Sequence, residues 1–148
     1  MEHKVVVLAC GGTIAGWSAD PADNVGYVAG QVPIGEVLSS AGLDGHQLEV
    51  ETLASIDSKD MDPDLWWHLA RRCRDLLARG DVGAILVTHG TDTLEETAFF
   101  LDAVVSAGKP VVLVSAMRPA SSVHADGPRN LADALIVAAD PLSRGVLA

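Results

Sequence analysis

The sequence predicts an α/β fold, namely a doubly wound, mainly parallel sheet with helices on both of its faces. Short apolar runs of Val, Ile and Leu alternate along the chain with segments of helical periodicity. Three of these runs show little polar alternation, which is typical of parallel strands covered by helices on both sides. With 148 residues, of which 49% are hydrophobic, the chain is long enough for one domain with a substantial core.

The apolar runs predict four strands, and a fifth run begins near the carboxyl end. The four strands are Lys4–Cys10, Gln47–Leu53, Gly83–Thr88 and Pro110–Ser115. The final residues, 146–148, resemble the start of another buried strand. Because such a strand would be unfinished, we expect that the chain is a fragment of a longer protein or that another chain completes the sheet. An unfinished sheet edge would also favour association.

Apolar stripes at helical spacing, together with residues that favour helix starts and helix ends, predict four helices. Asp62 precedes a proline, a combination that favours a helix start. Residues 93–96 have the pattern of a capping box, in which Thr93 and Glu96 would each bond a backbone N–H group. The predicted helices are Ile34–Ala41, a helix from Asp62 to Gly80, one from Thr93 to Gly108, and one from Asp126 to Asp140.

The segment from Gly16 to Gln31 has no apolar periodicity and follows the first strand closely. A loop of this length beside a crevice often acts as a lid, and a surface loop without function is the alternative. The segment contains Tyr27, the only tyrosine of the chain. As part of a lid, Tyr27 could reach back toward the end of the first strand.

Two predicted strands end in turns that combine glycine with threonine. The first strand leads into GGTIA at residues 11–15, and the third into HGTDTL at residues 89–94. Since the carboxyl ends of parallel strands face one crevice, we expect Thr13 and Thr91 in one cleft. A threonine hydroxyl can be a covalent nucleophile if a neighbour removes its proton, and a helix start near Thr91 favours an oxyanion. Asp92 would pair with a substrate cation such as an α-ammonium group. The pattern indicates acyl transfer.

Composition argues against several classes of function. The formal net charge of −10 disfavours binding to nucleic acid or to an anionic membrane surface. Cys10 and Cys73 lack the spacing of a metal site or a disulfide framework, and we predict buried thiols. The histidines form no spaced cluster, so no metal is expected. No apolar stretch is long enough for a signal peptide or a membrane span, and we expect a cytoplasmic protein.

Five segments in collinear order resemble the bacterial-type L-asparaginase/glutaminase family. Besides the two threonine turns, they are DSKDM at 57–61, SAMRP at 115–119 and GPRNL at 127–131. The resemblance covers essentially all 148 residues and implies the family's amino-terminal catalytic domain, without the smaller carboxyl-terminal domain. It implies hydrolysis of L-asparagine, and possibly L-glutamine, with release of ammonia and no cofactor.

The resemblance also implies roles for single residues. Thr13 would be the nucleophile, assisted by Tyr27, and Thr91 would act with Asp92 and a lysine in a second triad. Ser58 would hold the α-carboxylate of the substrate, Asp92 its α-ammonium group, and backbone groups near Thr91 and Ala116 the reacting amide. The substrate-binding residues would thus be Asp57, Ser58, Lys59, Thr91, Asp92 and Ala116.

The sequence departs from the family pattern in three ways. Cys10 stands where the family usually has threonine, and Lys59 where many relatives have glutamine. None of the three lysines matches the family lysine of the second triad. In the family, a neighbouring subunit completes each site, which implies a homo-oligomer or a complementing chain.

Three alternatives to a complete asparaginase remain. The chain could be an amino-acid-binding or inactive fragment. It could be one chain of a split enzyme whose second chain supplies the lysine. It could also be the asparaginase-like subunit of a tRNA-dependent amidotransferase, although its acidity weighs against that.

Overall fold

Five parallel strands form one sheet in a computed structural model that describes residues 3–106 and 108–148. The strands are β1 (Lys4–Gly11), β2 (Leu48–Ile56), β3 (Val82–Thr88), β4 (Val111–Val114) and β5 (Val146–Leu147). Their order across the sheet is β2-β1-β3-β4-β5. The predicted class is therefore confirmed, including the short fifth strand.

Among the residues that the structure describes, four α-helices connect the strands. They are α1 (Ile34–Ser40), α2 (Pro63–Leu77), α3 (Leu94–Val104) and α4 (Gly127–Ala139). One face of the sheet packs against α1 and α4, and the other packs against α2 and α3. Short 3-10 turns at Thr13–Ala15, Ser58–Asp60 and Thr91–Thr93 follow β1, β2 and β3.

The side chains of the central strands alternate between two apolar cores. Val7 and Leu86 lie in the core under α1 and α4, whereas Leu8 and Ile85 lie in the core under α2 and α3. All four are fully buried. Because both faces are covered, neither set of positions tolerates polar residues, and this explains the continuous apolar runs of the sequence.

The two predicted helix caps have different outcomes. The carboxylate of Asp62 accepts a hydrogen bond from Leu65 N at 2.8 Å, so this N-cap is confirmed. The capping box at the start of α3 is wrong: Thr93 occupies the N-cap position but makes no side-chain bond to its helix. Its hydroxyl instead donates to the Ser58 carbonyl at 2.9 Å. The helix also ends at Val104, before the predicted end at Gly108.

Both cysteines are buried free thiols, as predicted. Cys10 lies at the end of β1 and Cys73 on the inner face of α2, each no more than 3% exposed. Burial raises the pKa of each thiol to about 12, because the interior disfavours the thiolate. Neither cysteine is therefore a ready nucleophile at neutral pH. None of the helices in the described ranges is long and apolar enough to cross a membrane.

Candidate active site

The strand order places a topological switch point between β1 and β3. The chain leaves β1 toward β2 on one side and leaves β3 toward β4 on the other. In a parallel sheet of this order, the connections diverge at that point and open a crevice at the carboxyl ends of the two strands. The turns that carry Thr13 and Thr91 follow these two strands, so both flank the crevice.

Glycines allow the turns after β1, β2 and β3 to meet through their backbones. Gly12 has φ +82° and ψ 178°, and a Cβ atom there would lie 2.5 Å from the nitrogen of Gly90. The N–H of Gly12 donates to the Ile56 carbonyl at 2.8 Å. A Cβ atom on Gly90 would collide with the hydroxyl of Ser58. We call these three turns, joined at Gly12 and Gly90, the glycine junction.

The hydroxyl of Thr13 lies at this junction and pairs with Tyr27. Thr13 is only 8% exposed, and its Oγ1 is 2.6 Å from the phenolic oxygen of Tyr27. Either hydroxyl can donate in this bond, so a proton can pass between them. The predicted reach of Tyr27 back to the first turn is therefore present in the structure.

The segment that carries Tyr27 is anchored on the protein. Its two sides are joined by an antiparallel bridge between Trp17 and Val28. Gly30 N donates to the Gly12 carbonyl at 3.2 Å, which ties the end of the segment to the glycine junction. Further hydrogen bonds attach it to the loop after β4, from Ser18 N to Ser121 Oγ, from Ser122 Oγ to Asn24 Oδ1 and from Val123 N to the Pro21 carbonyl.

Ser58 and Asp92 meet on the other side of the glycine junction. Ser58 is 3% exposed, and its hydroxyl oxygen accepts a bond from Asp92 N at 3.2 Å. The Ser58 hydroxyl is thus an acceptor in this contact, and its own proton can serve another acceptor. The Asp92 carboxylate is exposed, while Thr91 beside it is partly buried. The Ser58 hydroxyl and the exposed Asp92 carboxylate therefore lie on two turns that are in direct contact.

Lys59 places a positive charge beside these groups. Its ammonium group pairs with the Asp60 carboxylate at 2.6 Å. The hydrogen bond to Asp60 raises the pKa of Lys59, and the charges of Asp57 and Asp92 act in the same direction. Asp57 itself caps the short turn by accepting a bond from Lys59 N at 3.3 Å. The predicted binding residues 57–59 therefore form one turn at the rim of the crevice.

The other two lysines lie in ion pairs and caps remote from this turn. Lys4 pairs with Asp81 at 3.4 Å, beside the first residues of β1. Lys109 donates to the carbonyls of Leu77 and Arg79, at 2.9 and 2.7 Å, and so caps the end of α2. In the described ranges, none of the lysines forms a hydrogen bond to Thr91 or Asp92.

A buried hydrogen-bond chain supports the turn before Thr91. His89 is 1% exposed, and its Nδ1 lies 2.8 Å from the Gly90 carbonyl, which can only accept. Thr97 Oγ1 accepts a bond from Trp66 Nε1 at 2.8 Å and lies 3.0 Å from His89 Nε2. A neutral imidazole with its proton on Nδ1 satisfies every member of this chain. The structural interpretation of His89 is supported, whereas sequence analysis missed Thr97 and Trp66.

Protonation of His89 should destabilise the protein. Burial lowers the pKa of His89 below its ordinary value of 6.5, more strongly than the bond to Gly90 raises it. The folded state thus binds the proton less readily than the unfolded chain does, so we expect the free energy of unfolding to fall as pH drops below about 6.5. Urea unfolding between pH 7.5 and 5.5 measures this.

Two variants provide controls for that pH dependence. His89→Gln should be less stable at pH 7.5 and should lose the His89 part of the slope. His68→Gln, at an exposed position of α2, controls for the substitution itself and should leave the free energy of unfolding at pH 7.5 close to that of wild type. An unchanged slope in His89→Gln would contradict the assignment.

Among the described residues, no group of three or more His, Cys, Asp and Glu side chains is placed to hold a metal ion. The polar groups that converge on the crevice are hydroxyls, carboxylates, one ammonium group and backbone amides. Such a set can bind a small zwitterion and can support attack by a hydroxyl on a carbonyl group.

The fold and the site define a doubly wound α/β domain with a threonine–tyrosine pair at its switch point. A family model described as the N-terminal domain of asparaginase matches residues 4–148. The chain therefore belongs to the asparaginase family.

Individual relatives agree with this assignment. The chain is 42% identical to L-asparaginase 2 of Escherichia coli and 38% identical to the glutaminase-asparaginase of Acinetobacter glutaminasificans. These alignments cover 97% and 99% of the chain but only 42% and 45% of the relatives. The crystal structure of a probable cytoplasmic L-asparaginase from Campylobacter jejuni superposes with a TM-score of 0.93 and 37% identity. The superposition covers 99% of this chain and 46% of the Campylobacter jejuni chain.

Proposed function

We propose that the chain carries the nucleophilic half of an L-asparagine amidohydrolase, which converts L-asparagine and water to L-aspartate and ammonia. The observation that carries this proposal is the 2.6 Å contact between the hydroxyls of Thr13 and Tyr27 at the switch point. A threonine hydroxyl needs a partner that accepts its proton before it can attack an amide. Membership of the asparaginase family supports the same reaction.

In the proposed mechanism, Thr13 Oγ1 attacks the side-chain amide carbon of the substrate. The hydroxyl proton passes to the phenolic oxygen of Tyr27 as the phenolic proton moves to the leaving nitrogen, which departs as ammonia. The product of this step is an aspartyl ester on Thr13. Water then attacks the ester carbon, returns a proton to Thr13 Oγ1 and releases L-aspartate. Backbone groups near Thr91 and Ala116 would hold the reacting amide and its oxyanion.

The turns around the glycine junction would bind the amino-acid end of the substrate. We assign the α-carboxylate to the Ser58 hydroxyl, whose proton remains available beyond its contact with Asp92 N. We assign the α-ammonium group to the exposed Asp92 carboxylate. Asp57 and Lys59 would shape the same rim. L-glutamine, which is longer by one methylene, is the competing substrate, and such a difference is worth about 1–3 kcal/mol in a fitted pocket.

Residues 1–148 would then act as an amino-terminal catalytic domain. Lys4, Lys59 and Lys109 are bound to other partners, so the lysine of a Thr91–Asp92 triad would come from outside residues 1–148. A homo-oligomer or a complementing chain could supply it. A cytoplasmic location stays a prediction, supported by the designation of the Campylobacter relative.

Trapping of the acyl-enzyme tests the proposed function directly. The purified chain is incubated with L-asparagine, and ammonia is measured with and without hydroxylamine. An aspartyl ester on Thr13 should partition between water and hydroxylamine, so aspartyl hydroxamate should accumulate while ammonia release continues. L-Glutamine in a parallel series gives the substrate preference. Ammonia release without any hydroxamate would contradict a covalent intermediate.

The engaged lysines favour one alternative, in which residues 1–148 bind the amino acid but need a group from outside these residues for hydrolysis. Calorimetry with L-asparagine distinguishes the cases. Stoichiometric binding without ammonia release would indicate a binding fragment or a split enzyme, and a co-purifying partner that restores ammonia release would identify the latter. A chain that neither binds nor hydrolyses L-asparagine would overturn both proposals.

A further inference from the structure

The turn after β4 is held in place from the start of α4. Ala116 lies in this turn and is 2% exposed. On one side of it, the Ser115 carbonyl accepts a bond from Asn130 Nδ2 at 2.9 Å. On the other side, Met117 N and Arg118 N donate to the two oxygens of the Asp126 carboxylate, each at 2.9 Å. The peptide groups that flank Ala116 are thus fixed by two side chains, one from the N-cap residue of α4 and one from its first turn.

Asp126 makes these bonds instead of capping its own helix. It occupies the N-cap position of α4, where an aspartate ordinarily accepts a bond from the first turn, but it makes no side-chain bond of that kind. Asn130 Nδ2 also lies 3.5 Å from Asp126 Oδ2, which orients the carboxylate. Burial opposes ionisation of Asp126, but the bonds from Met117 and Arg118 outweigh it, so its pKa lies below the usual value. The anion therefore persists at neutral pH.

The start of α4 also contacts the turn that carries the nucleophile. A Cβ atom on Gly127 would lie 2.8 Å from Ile14 Cγ1 and 3.6 Å from the Cβ of Ala116. Ile14 follows Thr13 and is fully buried. One helix end thus touches the residue next to Thr13 and both sides of Ala116, and it fixes the separation of the two turns.

We propose that Asp126 and Asn130 are positioning residues that hold the backbone of Ala116 at the distance from Thr13 that the substrate amide requires. This inference rests on the proposed function. Neither side chain would touch the substrate. Both act through the Ala116 backbone at the reacting end of the substrate, and the groups assigned to the α-carboxylate and α-ammonium lie on other turns.

The position of the affected groups dictates the kinetic test. Asp126→Asn keeps one acceptor oxygen and replaces the other with a donor, so one of the two bonds to Met117 N and Arg118 N is lost. We expect kcat for L-asparagine to fall at least tenfold, with KM changed less than threefold. Asn130→Ala should show the same kcat-against-KM split and provides a second variant if the first does not fold. Asp133→Asn, an exposed position on the same helix, should behave as wild type.

A second readout separates this inference from the proposed function. Amide hydrogen exchange at Met117 and Arg118 should accelerate in Asp126→Asn and stay unchanged in Asp133→Asn, whether or not the chain hydrolyses L-asparagine. Faster exchange with kcat within twofold of wild type would overturn the positioning role and leave the proposed function intact. A rise in KM alone would also overturn it. A wild-type chain that neither binds L-asparagine nor releases ammonia from it, alone or with a co-purifying partner, overturns the proposed function and, with it, this inference.

Discussion

We expect Thr13→Ala to reduce ammonia release from L-asparagine by at least about a thousandfold, because the substitution removes the proposed nucleophile. The loss should appear in kcat, since the groups assigned to the amino-acid end of the substrate are unchanged. The variant should also fail to form aspartyl hydroxamate. Initial rates of ammonia release and the yield of aspartyl hydroxamate, each measured beside wild type, check these expectations.

Thr13→Ser is the matched control, because it keeps the hydroxyl that contacts Tyr27 and loses only a methyl group. It should retain measurable activity and hydroxamate formation. Circular dichroism and thermal unfolding should show that both variants are folded, since Thr13 lies in a short turn and outside the two main cores. Activity in Thr13→Ala near the wild-type level would rule out Thr13 as the nucleophile.

Gly12→Ala should have the largest effect on stability. Its φ of +82° with ψ of 178° is a conformation that L side chains rarely adopt, and the added methyl would lie 2.5 Å from Gly90 N. Backbone strain of about 1–3 kcal/mol and a similar cost of overpacking give roughly 2–6 kcal/mol. That loss is comparable with the whole free energy of unfolding of many domains, which is about 5–15 kcal/mol. Urea unfolding measures the change.

Gly35→Ala controls for the chemistry of the substitution. Gly35 is an exposed residue of α1, and a Cβ atom there would meet nothing within 4 Å. The change should stabilise the protein by about 0.4–1 kcal/mol, since alanine favours a helix and restricts the unfolded chain. Equal urea midpoints for Gly12→Ala and wild type would show that the glycine junction can move apart.

The fold was predictable because strands that are buried on both faces of a sheet consist of continuous apolar runs. Val7 and Leu8 face opposite cores, so both are apolar, and the run they belong to identifies β1. The end of α3 was less predictable, because no residue after Val104 forbids further helix before Gly108. The sequence predicts the first residue of a helix better than the last one when tertiary packing determines where the helix ends.

Contacts between turns were predictable only where topology implied them. Adjacent strand ends indicated that Thr13 and Thr91 would share a crevice, and the lone tyrosine in a long loop pointed to Tyr27. The bond from Thr93 to Ser58 joins residues far apart in sequence, and it prevails over a local capping pattern. Asp126 is a second example, because its position before α4 predicts a helix cap, whereas its carboxylate accepts bonds from Met117 N and Arg118 N in the turn after β4. Local sequence preferences depend on neighbouring residues along the chain, so they cannot predict these tertiary hydrogen bonds.

The glycine junction bears on how this scaffold could change during evolution. Where backbone meets backbone at Gly12 and Gly90, a new side chain threatens the fold before it can alter the ligand. Substitutions that leave the fold intact are therefore expected at the margin of the crevice, where Lys59 is exposed and the segment around Tyr27 is a loop. Lys59, where the family resemblance leads one to expect glutamine in many relatives, lies at this margin. The same steric constraint thus makes the centre of the crevice intolerant of new side chains and leaves its margin open to them.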